Sequence, residues 1–420
     1  MNNPAPNDMI EALRLTQAGR LSEATALLQK LLGGEPSPIT RPTDRNTTRT
    51  AIGIQPPIID LVAEIEDIAD VEAFSAKETL GVTGSIQRDA GPHLPGPLRG
   101  VLDRFDLRGA GQALRGLLKR SPPLPSDIEP VGGKFVAKSF SNDAGSRAYK
   151  LYIPSGYRGE LRPLIVMLHG CTQSPDDFAA GTRMNFAAEE HAFFVVYPEQ
   201  AAAANASKCW NWFNSRDQKR GQGEPSLIAG ITRQVMADYK IDTRRIYIAG
   251  LSAGGAAAAV VGEAYPDLYA AVGVHSGLAC GVAHDLPSAF AAMRGEHTPR
   301  EPKRCGRQGE YRQFLPTIVF HGDRDATVHP RNGVEVIERA NARDDLQNIV
   351  EQGGVAAGHT YTRSIHQDAS GCGVLELWVV HGAGHAWSGG SPAGSYTDAK
   401  GPDATKEMLR FFLEHVRRGS

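Results

Sequence analysis

The run Arg245-Ile246-Tyr247-Ile248-Ala249-Gly250-Leu251-Ser252-Ala253-Gly254-Gly255, followed by alanines from Ala256 to Ala259, decides how the rest of the chain is read. An apolar, β-favouring segment breaks at Gly250, passes through a serine with a glycine two residues to either side, and enters strong helix formers. Such an order predicts strand, sharp turn, helix, with Ser252 at a strained apex and its hydroxyl projecting above the sheet edge. A glycine is required at 250 and at 254 because a Cβ there would collide with the neighbouring strand or helix. On its own a Gly-x-Ser-x-Gly is a weak signal in a chain of 420 residues with 46 glycines; the flanking strand and helix are what turn a glycine-rich packing turn into a candidate nucleophile.

Working outward, apolar runs of strand length occur at 164–168, 193–197, 271–274, 317–320 and 375–380, in addition to 246–249. Helical stretches fall between and after them at 178–191, 227–239, 253–265, 332–344 and 404–416. Ahead of these, 134–140 and 147–154 flank Ser141-Asn142-Asp143-Ala144-Gly145 and read as a hairpin. An antiparallel start followed by alternating strand and helix predicts an α/β domain over 133–420 with a doubly wound, mostly parallel sheet.

In such sheets reactive groups gather at the carboxyl ends of the strands. Four strand ends carry unusual residues: His169-Gly170-Cys171-Thr172-Gln173, Gly250-Leu251-Ser252, His321-Gly322-Asp323-Arg324-Asp325, and His381-Gly382-Ala383-Gly384-His385-Ala386-Trp387. Ser252, Asp325 and His385 follow the chain order of the α/β-hydrolase triad. A serine is a poor nucleophile until a base lies within hydrogen-bond reach; His385 would accept its proton and Asp325 would hold the second ring nitrogen. Asp323 competes for the acid role, but it sits closer to the strand, where bonding to turn amides is the expected use. His381 and His359 are expected to be structural. The oxyanion donors would be the amides of Ala253 and Cys171, which makes the Cys171 side chain a bystander. Trp210 and Trp212, in the aromatic segment 205–213, and Trp387 are candidates for lining a substrate groove and equally for filling the core.

These motifs, Leu168-His169-Gly170-Cys171-Thr172-Gln173, Cys209-Trp210-Asn211-Trp212-Phe213, Gly250-Leu251-Ser252-Ala253-Gly254-Gly255, His321 to Val328 and Gly384-His385-Ala386-Trp387, resemble in order those of the polyhydroxybutyrate depolymerase-type esterases. The resemblance covers about residues 133–418 and implies serine hydrolysis of carboxylic esters, with short-chain polyhydroxyalkanoate, feruloyl and acetylxylan esters as substrate classes. It puts nucleophile, acid and base on Ser252, Asp325 and His385. A binding protein built on a hydrolase scaffold is the non-enzymatic reading, and an intact triad argues against it.

A hydrophobic share of 41% with 22% charged residues and a formal net charge of −2 describes an ordinary globular chain with no field to recruit nucleic acid. No apolar run suits a signal peptide or a membrane span, so a cytoplasmic location is expected, with export open because many relatives of this type are secreted. No polymer-binding module is expected after the last helix. The five cysteines show no zinc spacing; no metal and no cofactor are expected. Their odd number favours reduced thiols, although a Cys171 to Cys209 bond could form in an oxidising setting. Residues 1–32 read as a helix pair, and 33–132 as a low-complexity linker with short amphipathic helices, together a largely disordered extension that could dock a partner or surface.

Overall fold

The structure is a computed structural model that describes residues 122–296, 315–341 and 345–417. The expected helix pair at 1–32 and nearly all of the expected linker lie outside the described residues.

In chain order the described α-helices and strands are α1 (Pro125–Ile128), β1 (Lys134–Asn142), β2 (Gly145–Ile153), β3 (Arg162–Leu168), α2 (Pro175–Thr182), α3 (Met184–His191), β4 (Phe194–Pro198), α4 (Gly223–Asp238), β5 (Ile241–Leu251), α5 (Ala253–Ala264), β6 (Ala271–His275), α6 (Leu286–Met293), β7 (Thr317–Gly322), α7 (Arg331–Ala340), β8 (Gln347–Gly354), β9 (Thr360–Gln367), β10 (Gly373–Val380), β11 (Trp387–Ser388), β12 (Thr397–Asp398) and α8 (Ala404–Glu414). Ten strands form one sheet in the order β1-β2-β4-β3-β5-β6-β7-β10-β9-β8. The run from β4 to β10 is parallel throughout, while β1 and β2 at one edge and β9 and β8 at the other pair antiparallel.

Both faces of the sheet are covered, so its central strands are apolar on both sides: every residue of β4 and β6 is buried, as are 246–251 of β5. One layer of core packs Ile228 of α4, Ala256 of α5 and Val336 of α7 on the sheet; the opposite layer packs Phe178, Met184 and Phe411 of α2, α3 and α8. This two-faced burial is the physical reason a parallel sheet reads as uninterrupted hydrophobic runs. The domain also starts earlier than residue 133. Ile128 is buried, its carbonyl accepts from Asn185 Nδ2 at 2.9 Å, and Glu129 Oε1 accepts from the Phe135 amide at 3.2 Å.

Two features depart from the expected pattern. The single helix expected over 178–191 is two helices, broken at Arg183, which has φ 55°. The carbonyls that would have continued it are taken elsewhere: Gly181 O accepts from the Ser391 amide at 2.8 Å and Thr182 O from Thr405 Oγ1 at 2.7 Å. The antiparallel pair β8 and β9 and the helix α6 had no expectation at all; β8 is almost wholly exposed and so lacks the apolar rhythm by which a strand is recognised.

Candidate active site

β5 ends at Leu251 and α5 begins at Ala253, leaving Ser252 alone between them with φ 59° and ψ −121°. A non-glycine residue is held in the left-handed region only where its surroundings over-determine it. Here they do. The Ser252 amide donates to the His275 carbonyl at 2.8 Å, and α5 sits so close to the sheet that a Cβ on Gly254 would lie 2.1 Å from the Leu168 carbonyl oxygen and one on Gly250 2.3 Å from the Gly254 carbonyl oxygen. The alanines 256–259 are all buried and extend this close packing along the helix. The turn therefore has the expected form, with the serine side chain over the sheet edge beside Gly170.

Asp325 and His385 come from two other strand ends. β7 is two strands away from β5, with β6 between, and β10 is one strand further. The segment after β10 bridges that distance. It turns back over the end of β7, where the Ala383 carbonyl accepts from the Arg324 amide at 3.0 Å, and a Cβ on Gly322 would meet that carbonyl at 2.4 Å. It then reaches the end of β6, where the Ser388 amide donates to His275 Nε2 at 2.9 Å and Trp387 stacks on the His275 ring at 5.0 Å. His275 thus touches the serine turn through its carbonyl and the histidine loop through its ring. Its burial holds the ring well below the usual imidazole range, which keeps Nε2 an acceptor.

His385 Nδ1 lies 2.7 Å from Asp325 Oδ2. The other carboxylate oxygen accepts from the amides of Thr327 and Val328 at 2.9 and 2.8 Å, and His321 Nε2, which donates to the Val328 carbonyl at 2.8 Å, stands 3.4 Å from Oδ2. Burial by itself would push the Asp325 carboxyl up. The His385 and His321 rings outweigh it and hold the group well below the usual carboxylate range. Asp325 is buried and His385 only slightly exposed, so this pair is shielded from solvent. No hydrogen bond joins the Ser252 hydroxyl to the His385 ring among the described residues.

The turn after β3 faces the serine. Its amides can be accounted for one by one: Gly170 N–H goes to Gln173 Oε1 at 2.9 Å, Thr172 N–H to the Ser207 carbonyl at 2.7 Å, and Gln173 N–H to the Gly170 carbonyl at 3.3 Å. That leaves the Cys171 amide. Ala253, first in its helix, likewise has no carbonyl behind it within the helix to bond. His169, buried beneath the turn, donates from Nδ1 to the Gly170 carbonyl at 2.8 Å and accepts the Gln200 amide on Nε2 at 3.1 Å; burial pulls its pKa down to about 4. Cys171 is disulfide-bonded to Cys209, and Cys280 is also in a disulfide, whereas Cys372 is free. The expectation of reduced thiols is corrected accordingly.

The three tryptophans offered as groove lining are corrected too. Trp210 and Trp387 are fully buried and Trp212 nearly so; the indole N–H of Trp210 donates to the His169 carbonyl at 3.1 Å and that of Trp387 to Thr405 Oγ1 at 3.0 Å. They fill the core under the site, and the polar ends of Trp210 and Trp387 are used by the protein. Asp323 pairs with His381 Nδ1 at 3.0 Å and takes the Gly382 amide at 2.7 Å, both side chains well exposed; His359 Nε2 pairs with Asp398 at 2.9 Å. The sequence reading did not single out His275 and quoted His321 in a strand-end motif without giving it a role, although each is a polar residue at the end of an apolar strand, the signal that picked out its neighbours.

The family model for Esterase PHB depolymerase matches residues 147–359, about half of the chain. Poly(3-hydroxyalkanoate) depolymerase C of Paucimonas lemoignei is 32% identical over 253 residues, 59% of this chain and 60% of that protein, so the chain matches less than two thirds of that relative's length. Feruloyl esterase B of Neurospora crassa is 28% identical over 284 residues, 65% of this chain and 89% of that one. Among solved structures, the acetyl xylan esterase from Aspergillus awamori superposes with a TM-score of 0.53 at 17% identity, covering 67% of this chain and 99% of the other, a likeness of fold alone. The fold is that of the α/β-hydrolases, and the chain belongs to the Esterase PHB depolymerase family.

Proposed function

We propose that this protein is a serine esterase that works through an acyl-enzyme. Ser252 Oγ attacks the ester carbonyl carbon and passes its proton to His385 Nε2; Asp325 fixes the His385 tautomer and stabilises the imidazolium; the amides of Cys171 and Ala253 receive the oxyanion. Collapse expels the alcohol with the proton from His385, and water repeats the sequence to release the acid and regenerate Ser252. The observation that carries the reading is the shielded 2.7 Å contact between His385 and Asp325, on a loop that crosses to the strand end beside a left-handed serine. Closing the serine to histidine bond falls to the substrate complex, since such contacts are commonly loose in free enzymes and tighten on binding.

The finer reading is hydrolysis of short-chain hydroxyalkanoate esters, supported by the depolymerase relative. Hydrolysis of a feruloyl ester is the second reading, because the match to feruloyl esterase B runs over 89% of that protein. Disulfides favour an oxidising compartment for either. Rates on p-nitrophenyl butyrate, a hydroxybutyrate oligomer and methyl ferulate, each with wild type and Ser252→Ala, test the proposal. A Ser252→Ala protein that keeps its rate on every ester would overturn it, and the order of the three wild-type rates decides between the two substrates.

A further inference from the structure

Gln173 is 2% exposed and lies between two parts of the proposed machinery. Its Oε1 accepts the Gly170 amide at 2.9 Å. Its Nε2 donates to Asp177 Oδ2 at 2.8 Å and to the Ser395 carbonyl at 3.1 Å, with Ser395 Oγ at 3.2 Å. Asp177 closes the arrangement by accepting the Ser395 amide on Oδ1 at 2.9 Å and the Ser395 hydroxyl on Oδ2. The next residue, Tyr396, has φ 52°; its carbonyl accepts the Trp387 amide at 2.7 Å, two residues after His385. Its hydroxyl stands 3.3 Å from Oγ1 of Thr172, which itself has φ 66°. Two non-glycine residues in the left-handed region therefore meet where the turn after β3 touches the segment between β11 and β12, which is bonded to the end of the loop that bears His385. Strain of that kind persists only where neighbouring bonds impose it.

We propose that Gln173 is a positioning residue that holds the amide of Cys171 in register with the loop carrying His385. This rests on the acyl-enzyme reading above. The chemistry requires an amide side chain. Its oxygen takes an N–H of the turn, and its nitrogen supplies hydrogens to the Asp177 carboxylate on α2 and to the Ser395 carbonyl on the segment that follows β11. By occupying the Gly170 N–H, Gln173 also fixes which way the turn faces, so that the Cys171 N–H points to where an oxyanion forms. A carboxylate of the same shape would set two acceptors against Asp177 and the Ser395 carbonyl; leucine would leave the Gly170 amide buried without a partner. Misplacing a donor by about 1 Å costs roughly 100-fold in rate.

The test uses the full chain as wild type, Gln173→Leu, Gln173→Glu and the double variant Gln173→Glu/Asp177→Asn, in which the carboxylate and amide exchange sides of one hydrogen bond. Diethyl p-nitrophenyl phosphate titrates competent sites, p-nitrophenyl butyrate gives kcat per titrated site and KM, and butylboronic acid, whose tetrahedral serine adduct places an oxygen in the oxyanion site, gives Ki. For Gln173→Leu, kcat per titrated site should fall about 100-fold, with KM within about twofold and Ki raised by a factor comparable to the kcat loss. The double variant should recover at least about tenfold over Gln173→Glu, an outcome a merely packing role would not give. A kcat per titrated site within about threefold of wild type, an unchanged Ki, or a double variant no better than Gln173→Glu overturns the proposal. If Gln173→Leu fails to fold, the comparison of Gln173→Glu with the double variant decides. Absence of phosphorylation at Ser252 in the wild type would instead sink the acyl-enzyme reading, and this proposal with it.

Discussion

Replacing Asp325 by asparagine should disable the protein through the tautomer of His385 rather than through its position. Asp325 Oδ1 faces two amide hydrogens, those of Thr327 and Val328 at 2.9 and 2.8 Å. An introduced amide can satisfy them only with its oxygen, which turns its NH2 toward His385 Nδ1, now 2.7 Å from a carboxylate oxygen. The Nδ1 atom must then accept, and the ring proton moves to Nε2, the atom required to take the proton of Ser252. Side chain and loop keep their places while the base faces the serine already protonated. A carboxylate-to-amide change of this kind costs about 10⁴ in kcat, equivalent to about 5 kcal/mol of barrier. The assay is kcat and KM on p-nitrophenyl butyrate for Asp325→Asn, with a thermal melt to verify folding. Asp323→Asn is the control: its pair with His381 is exposed on both sides, so the loss should stay below about fivefold, the kinetic equivalent of about 1 kcal/mol. A folded Asp325→Asn within tenfold of wild type would refute the reasoning, as would an Asp323→Asn that loses more.

Stability should fall in mild acid before most carboxylates titrate. Burial lowers the folded pKa of His169 from 6.5 to about 4, so its contribution is complete above pH 6.5 and is lost toward pH 4, as the unfolded chain takes up a proton that the fold refuses. That loss is on the order of 3 kcal/mol, and His275, also held neutral by burial, acts with the same sign. His169→Gln, which keeps an acceptor for the Gln200 amide, should flatten the change in urea midpoint between pH 7 and 4.5; an unchanged slope would show the linkage is misassigned. The Cys171–Cys209 bond closes a loop with a sequence separation of 38, worth about 4 kcal/mol by chain entropy. A Cys171→Ser/Cys209→Ser double variant should show a correspondingly lower guanidinium midpoint, and equal midpoints would contradict this.

Much of the site could be read along the chain because each of its parts sits where one periodic signal stops. Gly250 and Gly254 flank Ser252, and the steric demand that requires glycine at those places is local: a helix entering immediately after a strand. Asp325 was separable from Asp323 by its place in the loop, further from the strand, and the structure gives Asp323 a turn amide and an exposed histidine. The tryptophans were not separable in the same way. An indole near a reactive histidine has the same sequence signature whether it faces a groove or the core, and only the stacking of Trp387 on His275 and its bond to Thr405 settle which. The break at Arg183 was equally hidden, since the carbonyls that end α2 are taken by residues more than two hundred positions away.

By itself, the sequence determined the alternation of strand and helix, the antiparallel opening, the serine turn, and which strand ends carry an imidazole or a carboxylate. Those follow from backbone sterics and hydrophobic period, which act over a few residues. Tertiary structure alone decided that the segment after β10 folds back across β7 to His275, that Gln173 and Asp177 reach Ser395, and that two cysteines separated by 38 positions are joined. Such contacts depend on how the ends of the sheet are covered, and the hydrogen-bond partners that cover them are distant in the chain, so no local pattern encodes them.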